Sequence, residues 1–414
     1  CGKKPIEFNN KNFCCNGCKT VYEIFSLNDM SCYYDFEKSP GATPQDIEIK
    51  ATTVTHSDQY HLTLNALPKH LRENTKPKVH ESESSRTTST HKISEVQNTF
   101  VKFWTKVFKK RILDWTIDRW NPFPFMERQM PKPEFPFNTE WDEEMYDTLF
   151  KEIKCFKAAG TNSLTGELLT QAPKEVQTTW ATLLKNIWQQ NWIPMQWRES
   201  YIILLAKNTH TEFMNNFRPI TLAQTEQKLY TNIIQEKMAK FCEENKILED
   251  LQFGSWKGKS APQALITFRT VIDDAYNNDK DLFVMYLDFA KAYDSVEHIM
   301  LERVMTYYNI PQGIIDKIMN IYKDNEATLF SPHGKTKKKI PIENGVKQGD
   351  SLSPLLFILF INPLLTKLRE SGCGYRFHND TGIHIPNITY SDDNTLLAST
   401  QEDMQKLADI VMKF

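Results

Sequence analysis

LFVMYLDFAKAYDSV (residues 282–296) and ITYSDDNTLLAS (residues 388–399) decide how this chain is read. In the first, Leu282 to Leu287 is an apolar run of strand length that stops at Asp288. In the second, two apolar runs flank the polar tip Ser391–Asn394, which is a β-hairpin pattern. Each stretch thus brings acids to a strand end, Asp288 in one and Asp392 with Asp393 in the other. Carboxylate oxygens held rigidly suit Mg2+, which keeps several waters and takes one or two protein carboxylates. Two such ions about 4 Å apart can activate an attacking oxygen and stabilise a leaving one. Taken alone, a pair of aspartates in a hairpin tip is more often turn chemistry, because Asp favours turns.

The surrounding chain reads as mixed α and β. Tyr201 to Leu205 is a buried-strand run ending at Lys207. Trp180, Leu183, Leu184, Ile187 and Trp188 recur at helical spacing, and Leu222–Phe241 also reads as helix. Further helices are expected around Leu301, Val304, Met305 and Tyr308, and around Ile314, Ile318, Met319 and Tyr322. A last one runs from Gln401, with Met404, Leu407, Ala408, Val411 and Met412 on one face. Upstream, TFVKFWTKVFKKRILDW (99–115) sets Phe100, Trp104, Val107, Phe108 and Trp115 at helical spacing among Lys102, Lys106, Lys109, Lys110 and Arg111. Three readings stay open for it: a helix packed on a larger domain, a nucleic-acid backbone contact, or a membrane-surface helix. Such stripes most often face a core. Lys335, Lys337, Lys338 and Lys339 read as a solvated turn.

Composition narrows the function classes. Lys and Arg total 50 against 52 Asp and Glu, so a uniformly basic coat is excluded and any nucleic-acid surface must be a local patch. With 40% hydrophobic and 25% charged residues the 414-residue chain is globular and long enough for two or three domains. The longest apolar stretch, Pro354–Leu365, is expected to be broken by Asn362 and Pro363 and is short of the ~20 residues of a membrane span. The start, CGKKPIEFNN, lacks the apolar region of a signal peptide and begins with Cys, as a fragment would. Of eight cysteines, Cys1, Cys14, Cys15, Cys18 and Cys32 cluster at the start, which is no disulfide framework and fits a reducing, intracellular compartment, cytoplasmic or nuclear if the source is eukaryotic. Composition shifts divide the chain into a Cys-rich segment (1–47), a Ser/Thr-rich linker (48–94) and a folded part from about 95 onward, in which the blocks described next mark a body (140–414) preceded by an extension (95–139).

Taken in order, the blocks of that body resemble the reverse transcriptase of non-LTR retrotransposons. KAAGTNSLTGELL (157–169) resembles the Gly-rich opening block, and WRESYIILLAKN (197–208) and NFRPITLAQTEQKLYTNII (216–234) resemble the fingers blocks. QFGSWKGKSAPQAL (252–265) resembles the template-side block. LDFAKAYDSV (287–296), NGVKQGDSLSPLLFILFINPLL (344–365) and YSDD (390–393) resemble successive palm motifs. Thr161 and Asn162 stand where Pro and Asp are usual, and Ser391 where Ala is common.

The resemblance implies an α+β right-hand polymerase, with an antiparallel palm sheet packed on helices, fingers, and the thumb missing. It implies an RNA-directed DNA polymerase with two Mg2+ ions (Mn2+ as an alternative), an RNA template, a DNA primer and deoxynucleoside triphosphates. Metal ligands would be Asp288, Asp392 and the main chain of Phe289, with Asp393 beside them. Tyr293 would be the ring under the sugar that selects deoxynucleotides. Gln348 and Gly349 would contact template and incoming base, and Arg218 and Lys207 the triphosphate. Acids elsewhere are expected to be surface charges. Without a thumb to grip primer and template, this chain is expected to polymerise poorly.

FCCNGCKTVYEIF and YDFEKSPGATPQD, within residues 1–47, resemble instead the cytosolic start of bacterial heavy-metal P-type ATPases. Cys14, Cys15 and Cys18 would offer thiolates to Cu+ or Zn2+. No phosphorylation motif of a pump is present, so transport is not expected. A chimera joined near Ile47–Lys50 accounts for both resemblances. The competing function is a soft-metal-binding module fused to a non-catalytic polymerase remnant.

Overall fold

The computed structural model describes residues 6–8, 11–13, 52–54, 93–110, 126, 130–141, 150, 153, 157–207, 214–331, 334–378 and 382–414. The chain divides into two compact units, Cys1–Lys50 and Ala51–Phe414. The first holds an antiparallel hairpin, β1 (Ile6–Phe8) with β2 (Lys11–Phe13). Cys14, Cys15 and Cys18 lie outside the described residues.

The second unit is mixed α and β. In chain order its elements are β3 (Thr52–Val54), α1 (Ile93–Val107), α2 (Gly166–Thr170), α3 (Lys174–Gln190), β4 (Glu199–Ala206), β5 (Phe217–Leu222), α4 (Thr225–Glu244), α5 (Ala261–Asn277), β6 (Leu282–Asp288), α6 (His298–Tyr307), α7 (Gln312–Tyr322), β7 (Asn325–Ser331), β8 (Gly334–Lys335), β9 (Ile340–Ile342), α8 (Leu352–Glu370), β10 (Tyr375–Arg376), β11 (His384–Ile385), β12 (Asn387–Tyr390), β13 (Asp393–Ala398) and α9 (Gln401–Lys413).

Two larger sheets organise it. The first has the order β12-β13-β6-β3, antiparallel throughout. Its edge strand β3 comes from the stretch read as a linker. Alternation sorts the side chains. Leu282, Val284, Ile388 and Leu397 pack with Phe253, Ala264, Val271 and Ala275, the last three from α5. Met285 and Leu396, opposite one another in register, fall on the other face. α9 packs on β13, β6 and α8.

The second sheet has the order β5-β4-β7-β8, with β9 also on β7, and its β4–β7 pair is parallel. Ile202, Leu204, Phe217, Leu329, Ile340 and Ile342 form its core with Phe100, Val101, Trp104 and Phe108. The aromatic stripe of α1 is therefore a core-packing face, and Lys102, Lys106, Lys109 and Lys110 are exposed. Arg111 and Trp115 lie outside the described residues.

α8 departs from the sequence reading, because it runs unbroken through Asn362 and Pro363. Asn362 is satisfied inside the core: it donates to the Ile247 carbonyl (2.9 Å) and the Tyr308 hydroxyl (2.7 Å) and accepts from the Glu249 N–H (2.9 Å). Among the described residues α8 is the one helix long and apolar enough to cross a bilayer, but 72% of that window is buried inside the protein. Each of its fully buried leucines contributes about 1.5–3 kcal/mol of gross transfer free energy. Two stripes are also narrower than their spacing suggests. In α3, Ala181 is buried in place of Leu183, which is 37% exposed. In α9, Met404, Leu407 and Ala408 are buried while Met412, at the edge of the stripe, is 50% exposed.

Candidate active site

Asp288 closes β6 directly opposite Asp393, the first residue of β13. Cross-strand partners share a face of the sheet, so the two side chains are neighbours. Tyr390 pairs with Asp393, which leaves Ser391 and Asp392 as a two-residue hairpin turn. The polar tip is thus shorter than the sequence suggests, because Asp393 and Asn394 are strand residues and Asn394 is buried. Ser391 adopts φ +59°, a left-handed conformation that two-residue hairpins demand and that favours glycine.

The carboxylates crowd one another. Burial, then the nearby Asp392 and Asp288 charges, push the Asp393 carboxyl above its ordinary range, and Arg218 on β5 pulls it back. Crowded acids with oxygen-only donors fit a hard divalent cation. Among the described residues no group of three or more His, Cys, Asp and Glu converges on one point. An ion here would complete its shell with water and substrate oxygens, as Mg2+ prefers.

Tyr293 opens the short 3-10 turn Tyr293–Ser295 that follows β6. Its ring stacks on Phe357 of α8, and its hydroxyl lies 3.3 Å from Ser391 Oγ. Burial raises the phenol pKa, against the hydrogen bond to Ser391. The loop before α8 is laced to this turn: Gly345 N–H donates to the Val296 carbonyl (2.9 Å) and Val346 N–H to the Tyr293 carbonyl (2.8 Å). Gln348 Nε2 donates to Asp294 Oδ1 at 2.9 Å, while the Gln348 main-chain carbonyl accepts from Thr221 N–H at 2.7 Å. Gly349, at φ +113°, lies so close to β5 that a Cβ would stand 2.8 Å from the Thr221 oxygen. Phe289 follows Asp288 directly and is half-buried.

Not every acid outside the hairpin is a surface charge. Asp294, Asp350 and Glu226 are 3%, 5% and 5% exposed. Burial pushes the Asp294 carboxyl up to about 7, against attraction from Lys291, the Gln348 bond and Lys207. Lys291 is itself lowered by burial to about 8, and its Nζ sits 4.2 Å over the Trp104 ring. Lys207 therefore acts on the Asp294–Lys291 pair, whereas Arg218 acts on Asp393. Asp350 is raised by burial and attracted by Lys347, which burial lowers to about 8. Glu226 accepts from Asn162 Nδ2 at 2.7 Å, which docks the opening block on α4.

Sequence reasoning missed two residues at this site, Asp294 and Gln252. Asp294 follows Tyr293 directly, six residues after Asp288, and Gln252 is a lone amide ahead of Phe253 and Gly254. Those local oddities were the available signals. Their partners, Gln348 and Ser391, are far away in sequence.

Residues 205–414, just over half of the chain, match the reverse transcriptase (RNA-dependent DNA polymerase) family. Residues 3–74 match the family described as "metal-binding domain of cation transport ATPase". The Retrovirus-related Pol polyprotein from type-1 retrotransposable element R2 of Popillia japonica is 28% identical over 254 residues, 60% of this chain and 34% of that protein. The polyprotein of the same description from Nasonia vitripennis is 27% identical over 258 residues, 62% of this chain and 24% of its own length. The chain thus spans about a quarter to about a third of the length of these relatives. Among solved structures, apo telomerase from Candida tropicalis truncated from its C-terminal domain aligns with a TM-score of 0.38 and 14% identity, over 57% of this chain and 52% of that one. The family match takes in β6, α8 and the β12–β13 hairpin alike, and the chain belongs to the reverse transcriptase family, with a polymerase domain of the non-LTR retrotransposon kind.

Proposed function

We propose that this chain carries the site at which a DNA primer is extended on an RNA template, using Asp288, Asp392 and the Phe289 carbonyl to hold two Mg2+ ions, which Mn2+ can replace. The observation that carries the reading is the pairing of Asp288 with Asp393 at one sheet end, with Asp392 in the adjoining turn. In the reaction the primer 3′-hydroxyl attacks the α-phosphorus of a deoxynucleoside triphosphate, a P–O bond forms, and pyrophosphate leaves. Bound divalent metal supplies activation of the attacking hydroxyl and neutralises the leaving pyrophosphate. The protein's residues bind and orient. Arg218 and Lys207 draw the triphosphate, since guanidinium and ammonium groups suit phosphate. The Tyr293 ring lies under the sugar and leaves no room for a 2′-hydroxyl. Gln348 and Gly349 flank template and incoming base. With a net charge near zero, template and primer are gripped by local basic patches and by shape.

The test is incorporation of deoxynucleotides on a primed RNA template with Mg2+. Asp288→Asn and Asp392→Asn should each reduce incorporation to background while the variants stay folded. Incorporation that survives either change would overturn the site.

The match of residues 3–74 supports a separate reading for the N-terminal segment. There Cys14, Cys15 and Cys18 would bind Cu+ or Zn2+ through thiolates. Zn2+ titration of the parent against Cys15→Ser and Cys18→Ser tests it, and equal binding by all three would refute it.

A further inference from the structure

The segment Leu251–Gly254 runs alongside the hairpin that carries the acids. Phe253 N–H donates to the Thr389 carbonyl at 2.8 Å and Thr389 N–H to the Leu251 carbonyl at 2.9 Å. At the turn, the contacts pass from backbone to side chain. Gln252 Oε1 accepts from Ser391 N–H at 3.0 Å and from Gly254 N–H at 2.8 Å, and Gln252 Nε2 donates to the Ser391 carbonyl at 3.4 Å. Two N–H donors on one oxygen fix which way the amide faces. Gln252 is only 1% exposed, so water has little access to compete for these bonds. Gly254 leaves no slack behind the turn, because a Cβ there would stand 2.1 Å from the Ser391 nitrogen. The remaining polar atom of Ser391, its Oγ, meets the Tyr293 hydroxyl.

Every polar group of Ser391 is therefore held, at a residue with φ +59° immediately before Asp392. We infer that Gln252 is a positioning residue for the carboxylate turn: its amide clamps both peptide groups of Ser391 and so sets where Asp392 presents its carboxylate relative to Asp288. The inference rests on the proposed reading of Asp288 and Asp392 as metal ligands. Gln252 touches neither substrate nor metal in this account and acts through the turn alone.

The readout is Mn2+ binding by electron paramagnetic resonance on the folded chain, with metal-free thermal unfolding followed in parallel. Gln252→Met keeps the length and apolar bulk but removes both amide contacts. It should still unfold cooperatively while its Mn2+ affinity falls roughly 10-fold or more, as when an outer partner of a metal ligand is lost. Gly254→Ala keeps the Gln252 side chain but drives a methyl against the Ser391 nitrogen that Gln252 holds, so it should weaken Mn2+ binding in the same direction. Asp392→Ala should abolish binding. If Asp392→Ala loses binding while folded Gln252→Met and Gly254→Ala keep the parent affinity, the positioning role is overturned and the metal-site reading stands. If Asp392→Ala binds as the parent does, the metal-site reading fails and this inference falls with it.

Discussion

The ring of Tyr293 lies flat against that of Phe357, with centroids 4.8 Å apart and planes 12° from parallel. Phe357 belongs to α8, the most apolar helix of the core, so the tyrosine is backed by a surface that does not yield. If this ring selects the sugar, Tyr293→Val should admit ribonucleotides while deoxynucleotide use is largely kept. Tyr293→Phe should keep the discrimination, because the stack remains when the Ser391 contact is lost. Single-nucleotide incorporation with each sugar type measures both, and unchanged selectivity in Tyr293→Val would assign the gate to another residue.

Asp294 ties stability to pH. Its carboxyl goes from an ordinary value of 3.8 to about 7 in the fold, chiefly through burial. Between those values the folded state holds a proton that the unfolded chain has lost, so this group destabilises the fold progressively as pH rises from about 4 to 7. The full effect is at most roughly 4 kcal/mol, from 7 − 3.8 ≈ 3 and 1.36 kcal/mol for each factor of ten. Asp294→Asn retains an oxygen to accept from Gln348 and removes the titration. Urea midpoints at pH 5 and pH 8 should therefore fall with pH less in the variant than in the parent, and equal slopes would refute the assignment.

Gly349 and Gly313 should respond oppositely to alanine. At Gly349 a methyl meets the Thr221 oxygen at 2.8 Å and φ is +113°, a strain of about 1–3 kcal/mol. At Gly313, in α7, nothing lies within 4 Å of the added carbon, and alanine gains up to about 1 kcal/mol of helix propensity. Thermal unfolding should show a lower Tm for Gly349→Ala and an equal or higher one for Gly313→Ala.

Trp104 should be a stability residue rather than a nucleic-acid contact. It is fully buried between α1 and the second sheet and lies under the Lys291 ammonium. Trp104→Ala should cost about 3–5 kcal/mol. Lys106→Ala, on the exposed side of the same helix, should stay within about 0.5 kcal/mol. Chemical denaturation of both variants separates the two faces, and a mild Trp104→Ala would contradict the packing.

The sequence by itself determined what depends on neighbours along the chain. The run Leu282–Leu287 forms most of β6, the hairpin around Ser391 and Asp392 is present, and the packed stripe of α1 includes Phe100, Trp104 and Phe108, because strand and helix periods are local. The order of its blocks likewise carried the family. Tertiary structure alone decided the rest. Register pairs Asp288 with Asp393 and leaves Asp392 in the turn, a choice fixed by strand pairing across more than a hundred residues. Asn362 and Pro363 read as a break, yet they sit inside α8, where the surrounding core supplies every partner Asn362 needs. Asp294 and Asp350 looked like ordinary surface acids. Burial makes them otherwise, and burial follows from which distant segments close over a residue, which no local pattern records. The same holds for Gln252, whose amide finds Ser391 only once the two segments lie side by side.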